Sequence, residues 1–309
     1  MTISFLQGDV FDKLKELDNN SIDCVVTSPP YWGLRDYGVP GQLGLEPTYQ
    51  EHIQNIVKLF RVMKPKLKDT ATVWLNYGDS YAATINGTKA KDVLNDDRAF
   101  RDKPFSTIQG FLKPKDLVMI PNRIAIALQD DGWWIRSEII WHKPNPMPES
   151  TKDRPTSAHE KIWLITKSKK YYYDADAIRE PVAQGTIKRL SEKNLKNQKG
   201  STRGNGGMKS NGNMKAVGNM ETKNKRNVWT ITTKPCKEAH FATFPKDLIE
   251  PCIKAGCPEG GIVLDPFGGS GTTGIVAKQF NRTAILIELN PSYIKIAKKR
   301  IDKELGMFR

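Results

Sequence analysis

The fold of this chain is decided by residues 261–274, which read GIVLDPFGGSGTTG. An apolar strand runs here into a glycine-rich turn, and the residues after the turn follow a helical pattern of apolar positions. Glycine lets the backbone come close to a ligand, and the start of a helix offers N–H groups that have no partner within the helix. The stretch therefore predicts a ligand-binding turn between a buried strand and a helix.

The residues downstream extend this unit. Residues 283–287, TAILI, predict a second strand that ends at Glu288, about 20 residues after the glycine-rich turn. A carboxylate at such a position is placed to accept hydrogen bonds from ribose hydroxyls. Asn290 and Pro291 then form the start signal of a last helix. We therefore expect this part of the chain to bind a nucleoside-type cofactor.

A nicotinamide cofactor is one candidate, because residues 269–274 match the dinucleotide pattern G-x-G-x-x-G. A dinucleotide fold normally opens with this unit and continues for several more strands. Here only about 20 residues follow Glu288, and the Asp-Pro-Phe before the glycines is not part of that fingerprint. A nicotinamide oxidoreductase stays open as a rival hypothesis.

A second motif lies near the other end of the chain. The apolar run at residues 22–26 predicts a buried strand, and Ser28-Pro29-Pro30-Tyr31 follows it directly. Two prolines end the strand and fix the backbone of the turn. The turn presents a hydroxyl, rigid carbonyls and an aromatic ring at the edge where open α/β sheets hold ligands. A planar group that carries an amino function, such as a nucleobase, fits these parts.

Taken together, DPFGGSGTT at 265–273 and TSPPYW at 27–32 resemble the S-adenosylmethionine-dependent DNA amino-methyltransferases of the β group. The order is that of this permuted group, with the catalytic motif first, the target-recognition region in the middle and the cofactor loop last. Further similar stretches are QGDV (7–10), WLNYGDSY (74–81), WHKPNP (141–146) and HFATFP (240–245). The resemblance implies an α/β fold, a Rossmann-like, mostly parallel sheet with helices on both faces, circularly permuted, with a small basic target-recognition insertion.

The resemblance also implies S-adenosylmethionine as cofactor and a set of residues that hold it. Asp9 is expected to face the adenine amino group, Glu288 the ribose and Asp265 the methionine end. The glycine-rich turn is expected to form a shelf for the amino acid part of the cofactor, and Phe244 and Pro245 are expected to close over it. The complete set of expected cofactor residues is Asp9, Phe244, Pro245, Asp265, Pro266, Phe267, Gly268, Gly269, Ser270, Gly271, Thr272 and Glu288.

The catalytic residues implied by the resemblance are Ser28, Pro29, Pro30 and Tyr31. In the family, the serine oxygen and the carbonyl of the first proline accept the two N–H bonds of an exocyclic amino group, and the tyrosine stacks on the base. The base must first leave the duplex, because its amino group is out of reach inside the stack. A serine at the head of the motif favours the N4 position of cytosine, and the N6 position of adenine stays open.

Coarse patterns give the remaining elements. Thr48 and Glu51 form a capping box before a long amphipathic helix. Residues 71–76 predict a strand, a helix begins near Pro121, and residues 133–141 and 161–166 predict an antiparallel hairpin. Residues 228–231 and a helix from Pro245 lead to the cofactor strand. Residues from about 81 to 110 are polar and predict a loop over the site.

Length and composition narrow the class of protein. The chain has 309 residues, of which 38% are hydrophobic, which is enough for one large core domain. No stretch approaches the ~20 apolar residues that span a bilayer, and we expect no charged, cleavable leader at the amino terminus. The four cysteines and four histidines lack the spacing of a metal site or a disulfide framework. We expect a cytoplasmic protein without a bound metal.

The net charge of +14 favours a polyanionic partner, and its distribution is uneven. Residues 181–226 hold eleven Lys/Arg and two Asp/Glu, in a segment rich in Gly, Asn and Ser. Such a composition does not fold alone, so we expect residues 179–227 to be a flexible DNA-contacting insertion in a catalytic domain of residues 1–178 and 228–309. The expected DNA contacts are Trp32, Arg35, Lys188, Arg189 and Arg203.

The leading hypothesis is therefore a site-specific DNA amino-methyltransferase that acts on double-stranded DNA. A cognate restriction endonuclease is a candidate partner, and the enzyme is expected to be a monomer or a homodimer. The rivals are a nicotinamide oxidoreductase, a non-catalytic DNA-binding module, and a methyltransferase that acts on RNA or protein, because a basic surface does not choose among nucleic acids.

Overall fold

The structure, a computed structural model, describes residues 1–83, 104–191, 221–233 and 244–306. The chain divides into two compact units, one made of Met1–Tyr173 with Asn227–Arg309 and the other of Asp174–Arg226. The second unit begins at Asp174, and the predicted role of residues 179–227 as a flexible DNA-contacting insertion stays a prediction. Most of the polar loop expected near residues 81–110 lies outside the described residues, as do residues 192–220 of the basic insertion.

The strands of the described residues are, in chain order, β1 (Ile3–Gln7), β2 (Ile22–Thr27), β3 (Leu67–Tyr77), β4 (Trp134–His142), β5 (His159–Thr166), β6 (Glu180–Pro181), β7 (Thr222–Lys223), β8 (Val228–Thr230), β9 (Ile262–Asp265) and β10 (Thr283–Glu288). Eight of them form one sheet in the order β1-β10-β9-β2-β3-β5-β4-β8. The short strands β6 and β7 pair with each other in the second unit.

The sheet is parallel from β1 through β10, β9 and β2 to β3. β5 is antiparallel to both of its neighbours, β3 and β4, and β8 is parallel to β4. The carboxyl ends of the parallel strands therefore meet at one edge of the sheet, and the amino end of β5 lies at that same edge. The predicted hairpin of β4 and β5 is confirmed by this pairing.

The helices of the described residues are α1 (Val10–Lys15), α2 (Tyr49–Met63), α3 (Ile120–Asp130), α4 (Gln184–Leu190), α5 (Lys246–Gly256), α6 (Thr272–Gln279) and α7 (Pro291–Gly306). The predicted capping box is present, since Thr48 Oγ1 accepts a hydrogen bond from the N–H of Glu51 at 3.2 Å. α4 belongs to the second unit, and the other six surround the large sheet. None of the helices in the described part of the chain is long and apolar enough to cross a membrane.

Side chains that alternate along β3 show that both faces of the sheet are covered. Val73 and Leu75 belong to a core that includes Ile56 of α2 and Ile124 of α3. Thr72 points the other way, and its hydroxyl donates to the carbonyl of Gly256 at the end of α5 (3.0 Å). Because both faces of the sheet are covered, all six residues of β2 are buried. The predicted fold, a mostly parallel α/β sheet with helices on both faces, is confirmed.

Candidate active site

The two sequence motifs meet at the edge of the sheet where the parallel strands end. β2 and β9 pair directly, so that the residues after each strand are neighbours. The Thr27 hydroxyl at the end of β2 donates a hydrogen bond of 2.8 Å to Asp265 Oδ1 at the end of β9, across 238 positions of sequence. This contact joins the catalytic motif to the glycine-rich turn and confirms that the two lie side by side.

One continuous cleft of about 860 Å³ runs along this edge. Its walls include all four residues of the catalytic motif and most of the glycine-rich turn. The residues of that turn that line the cleft are Asp265, Pro266, Phe267, Gly268, Gly269, Ser270 and Thr272. Gly271 is not part of the lining. It is the N-cap residue that precedes α6, with a φ of 78°, a conformation that favours glycine. The cleft is large enough for a drug-sized ligand.

Asp265 is a buried carboxylate held by the protein on both oxygens. Oδ1 accepts from the Thr27 hydroxyl and from the N–H of Phe267 (3.1 Å), and Oδ2 accepts from the Thr273 hydroxyl (2.6 Å). Burial raises the pKa of Asp265 from 3.8 to about 6, because water no longer solvates the charge, and the hydrogen bonds offset only part of that cost. The side chain therefore braces the two motifs, and its contact with a methionine end stays a prediction.

Glu288 ends β10 and lies beside the glycine-rich turn. Its Oε2 accepts from the N–H of Gly269 (2.9 Å), and its Oε1 accepts from the N–H of Asn290 (2.8 Å). Burial raises the pKa of Glu288 above its ordinary value. Each carboxylate oxygen carries two lone pairs, so both oxygens keep acceptor capacity toward the cleft that Glu288 lines. That is the arrangement that two ribose hydroxyls would need.

The glycine-rich turn is supported from outside by Arg300 of α7, a residue that the sequence did not single out. Its Nη1 donates to the hydroxyls of Ser270 (2.9 Å) and Thr272 (2.7 Å). At Gly268 an added Cβ would lie 2.8 Å from Leu286 Cβ, so the turn packs tightly against β10. The turn is thus fixed in place by its neighbours rather than by its own sequence alone.

Three predicted cofactor residues lie outside the glycine-rich turn and β10. Asp9 lines it and also caps α1, since its Oδ1 accepts from the N–H groups of Phe11 (2.9 Å) and Asp12 (3.3 Å). Its expected contact with an adenine amino group stays a prediction. Oδ2, the second oxygen of Asp9, would make that contact. Phe244 lines the cleft, whereas Pro245 is buried and precedes the first residue of α5.

At the other end of the cleft, Ser28 and Tyr31 form a hydrogen-bonded pair. Ser28 Oγ donates to the Tyr31 hydroxyl at 3.3 Å, and both residues are half-buried. Pro29 is buried and Pro30 is half-buried, and both line the cleft. Burial is the main cause that raises the pKa of Tyr31 well above its usual range, followed by the nearby charge of Glu160. Tyr31 therefore stays a neutral hydroxyl.

The ring of Tyr31 rests on a second tyrosine at the end of β3. The Tyr31 and Tyr77 rings stack with centroids 4.4 Å apart and 26° between their planes, so a base that stacks on Tyr31 would use its other face. The Tyr77 hydroxyl accepts from the N–H of Trp32 (2.9 Å) and bonds to His52 Nε2 (2.7 Å). His52 Nδ1 in turn lies 2.8 Å from Glu46 Oε2. A buried chain of polar groups thus fixes the shape of the catalytic turn from behind.

Sequence reasoning missed a polar cluster on the opposite wall. Glu160, near the amino end of β5, accepts from the Tyr31 hydroxyl (2.8 Å) and from Asn76 Nδ2 (3.1 Å), and it forms an ion pair with Lys143. All of these residues line the cleft. The signal that could have found Glu160 is its position, because an antiparallel strand begins at the edge where parallel strands end.

The predicted DNA contacts have mixed outcomes. Trp32 is 1% exposed, and its indole N–H donates to the carbonyl of Glu46 at 2.9 Å, so the expectation that it contacts DNA is wrong. An indole with its one donor satisfied in the core gains more from burial than from a surface position. Arg35 lines the cleft, and Lys188 is exposed on α4 of the second unit. The Arg189 side chain and Arg203 lie outside the described residues.

Comparison with known proteins gives one consistent answer. The profile of the N6_N4_Mtase family, described as DNA methylase, matches residues 22–299. The type II methyltransferase M.Cfr9I of Citrobacter freundii is 45% identical over 301 residues, which cover 97% of this chain and 88% of that protein. The type II methyltransferase M.SmaI of Serratia marcescens is 45% identical over 294 residues, with 95% and 89% covered.

Solved structures share the fold. The PvuII DNA methyltransferase (cytosine-N4-specific) superimposes with a TM-score of 0.65 at 19% identity, over 100% of this chain and 92% of that one. A putative DNA modification methylase from Thermus thermophilus, in complex with S-adenosyl-L-methionine, gives a TM-score of 0.59 at 21% identity, over 99% and 96%. The oxidoreductase and the non-catalytic module are thereby set aside. The chain belongs to the DNA methylase family, the S-adenosylmethionine-dependent DNA amino-methyltransferases.

Proposed function

We propose that the protein methylates the exocyclic N4 amino group of a cytosine that has been flipped out of duplex DNA. The observation that carries the proposal is the position of Ser28, whose hydroxyl lies in the same cleft as the glycine-rich turn. A serine at the head of this motif resembles the cytosine-N4 form. The shared fold of the PvuII enzyme, whose name states cytosine-N4 specificity, agrees with that choice.

The residues at one end of the cleft fit S-adenosylmethionine. Glu288 keeps acceptor capacity for ribose hydroxyls, and the turn at Gly268 and Gly269 offers backbone at close range. Asp265 is an anionic group beneath a site for a cationic ligand. When bound, the cofactor supplies an electrophilic methyl group on a sulfonium centre. The protein's part is to hold the acceptor in line with that methyl group and to keep the reacting atoms away from water.

The acceptor is a poor nucleophile, because the lone pair of an aromatic amino group is delocalised into the ring. In our proposal Ser28 Oγ and the Pro29 carbonyl accept the two N–H bonds, which holds the nitrogen in a more tetrahedral shape and frees its lone pair. The same two oxygens stabilise the positive charge that develops on nitrogen in the transition state. Prolines suit this task, since a rigid turn keeps the carbonyl oriented without a reorganisation cost.

The product identifies the base. Unmethylated duplex DNA is incubated with the protein and labelled S-adenosylmethionine, and the digested nucleosides are separated by mass. We expect N4-methylcytosine, whereas N6-methyladenine as the sole product would refute the choice of base while leaving the enzyme class intact. Long-read sequencing of the treated DNA then gives the sequence context of the modification.

The Ser28→Ala variant tests the proposed role of the hydroxyl. We expect a rate of methyl transfer lower by about 10²-fold, the typical effect of removing one preorganised hydrogen-bonding group. The matched control is Ser21→Ala, because Ser21 precedes β2 at the opposite edge of the sheet and its hydroxyl donates to the Asp18 carbonyl (2.8 Å). Equal rates for both variants would contradict the proposal.

The manner of DNA binding is part of the same proposal. Arg35 at the cleft and Lys188 on the second unit are expected to contact phosphates, so that affinity falls steeply with salt concentration. The expected roles of Arg189 and Arg203 stay predictions. A cytoplasmic location also stays a prediction. Size-exclusion chromatography would test the predicted monomeric or homodimeric state. A search of the neighbouring genes would test for a cognate restriction endonuclease.

A further inference from the structure

We propose that Glu160 is a positioning residue for methyl transfer, which acts on Ser28 through Tyr31 and takes up the proton that the amino group loses. The proposal rests on the proposed function only in that the acceptor is an amino group, and it holds for cytosine and adenine alike. Glu160 lies on β5, far from the catalytic motif in sequence, but it lines the same cleft.

The direction of the hydrogen bonds carries the argument. Ser28 Oγ donates to the Tyr31 hydroxyl at 3.3 Å, and the Tyr31 hydroxyl donates to Glu160 Oε2 at 2.8 Å. A serine hydroxyl has one proton and two lone pairs. Because its proton points to Tyr31, the lone pairs of Ser28 Oγ are left to accept an N–H bond from the substrate. Behind the Tyr31 hydroxyl, Glu160 Oε2 at 2.8 Å is a much closer acceptor than Asn76 Oδ1 at 3.5 Å. Without Glu160 the chain of donation is no longer held in this direction, and Ser28 is free to present its proton to the amino group instead.

The surroundings of Glu160 keep it in this position. Its side chain is 17% exposed, and Lys143 pairs with Oε1 from the neighbouring strand end. Asn76 Nδ2 donates to Oε2 (3.1 Å), the same oxygen that Tyr31 reaches, and also to the carbonyl of Lys161 (3.2 Å). These contacts replace part of the hydration that the partly buried carboxylate has lost. Both oxygens are thus occupied, and Oε2 is held toward Tyr31.

The space around this chain is closely filled. At Gly78, which follows β3, an added Cβ would lie 2.7 Å from Tyr31 Cε2 and 3.2 Å from Glu160 Cδ. The side chains of Tyr31 and Glu160 therefore both pack closely against the backbone of Gly78. Burial keeps Tyr31 neutral by raising its pKa, so Tyr31 passes a proton on rather than holding a charge. The tyrosine connects the two end groups and is not the base itself.

The proton transfer balances as follows. The amino nitrogen forms a bond to the methyl carbon with its lone pair, while the bond from that carbon to sulfur breaks and its electron pair stays on sulfur. The nitrogen now carries the positive charge and loses one N–H proton to Ser28 Oγ. Ser28 passes its own proton to the Tyr31 oxygen, and Tyr31 passes its proton to Glu160 Oε2. The product amine is neutral, Ser28 and Tyr31 are unchanged, and Glu160 is protonated until the cleft opens to water.

Glu160→Gln and Tyr31→Phe test the relay, because glutamine keeps the shape of glutamate but cannot take up the proton, and phenylalanine keeps the ring but removes the link. The measurement is the single-turnover rate of methyl transfer to unmethylated DNA, together with the affinity for S-adenosylmethionine by calorimetry. We expect each variant to lower the rate by about 10²-fold or more, with cofactor affinity within about threefold of the wild type. The double variant should be no slower than the slower single variant, because both changes break one chain.

Glu138→Gln is the matched control, since Glu138 lies on β4 of the same hairpin and pairs with Lys161 (2.6 Å) outside the cleft lining. Its rate should equal that of the wild type. A Glu160→Gln rate close to that of the control would overturn the relay, and so would rate losses that multiply in the double variant. If the wild type itself places no methyl group on an amino nitrogen of DNA, the proposed function fails first, and the relay with it.

Discussion

Asp265→Asn should make the cofactor-free protein more stable at neutral pH. The wild-type carboxylate is 1% exposed and accepts three hydrogen bonds from Thr27, Phe267 and Thr273. An asparagine side chain has the same shape and carries no charge. Its amide oxygen can accept from Thr27 and Phe267, and the Thr273 hydroxyl can rotate to accept from the amide nitrogen. The substitution therefore removes a buried charge and keeps the contacts.

The size of the effect follows from the pKa of Asp265, which burial raises from 3.8 to about 6. A difference of about 2 pH units between the folded and unfolded states corresponds to ~3 kcal/mol. The folded state binds more protons than the unfolded state between these two pKa values, so the wild type loses stability as pH rises through that window. Above pH 6 the full cost is present, and below pH 3.8 it is absent.

The assay is urea unfolding of wild type and variant, without cofactor, at pH 4 and at pH 8. We expect the free energy of unfolding of Asp265→Asn to exceed that of the wild type by about 2–3 kcal/mol at pH 8 and to lie within about 1 kcal/mol of it at pH 4. Asp12→Asn is the control, because Asp12 is an exposed carboxylate at the start of α1, and its substitution should change stability by less than about 0.5 kcal/mol.

A variant that is equally or less stable than the wild type at pH 8 would refute the reasoning, since the buried charge would then cost nothing. The same variant should bind S-adenosylmethionine more weakly, by about tenfold or more, because the cofactor is cationic and Asp265 lines the cleft. Stability and affinity would thus change in opposite directions, as expected for a charge retained for function.

Three further substitutions address the supports of the site. Gly78→Ala should displace Tyr31, to which the new Cβ would approach within 2.7 Å, and should lower the single-turnover rate at least tenfold with cofactor affinity unchanged. Tyr77→Phe should leave His52 without its 2.7 Å hydrogen bond and reduce the free energy of unfolding by about 1–3 kcal/mol, as urea titration would measure. Arg300→Met should loosen the glycine-rich turn and weaken cofactor binding about tenfold in calorimetry, and an unchanged affinity would contradict the bracing role.

Sequence reasoning succeeded where the chemistry of the site is contiguous in the chain. The turn after β2 and the turn after β9 each carry their own strand, breaker residues and functional groups within a short stretch. Because both strands are parallel members of one sheet, their carboxyl ends had to lie at one edge, and the Thr27–Asp265 contact follows from that. Local pattern and a single topological rule were sufficient for this part of the site.

The same reasoning failed where the burial or the contacts of a residue depend on how distant elements pack together. Trp32 follows the catalytic motif and was expected at the surface, but the chain turns inward and its indole reaches the Glu46 carbonyl. Glu160 and Arg300 reach the site from other elements, 129 positions from Tyr31 and 30 from Ser270 respectively. No functional motif marks either residue. Glu160 could be located only from its position at the start of an antiparallel strand, and the role of Arg300 is defined only by the packing of elements distant in sequence.

The pairing of β2 with β9 also has a consequence for biosynthesis. β2 leaves the ribosome early, but its partner on one side is not synthesised until more than 200 residues later, as the span of 238 positions between Thr27 and Asp265 indicates. At ~5–20 residues per second, the nascent strand waits on the order of 10–50 s with one edge open. Such distant pairing slows folding and exposes an edge that other chains can pair with. Newly made chains should therefore depend on chaperones, and activity should lag behind the appearance of full-length protein.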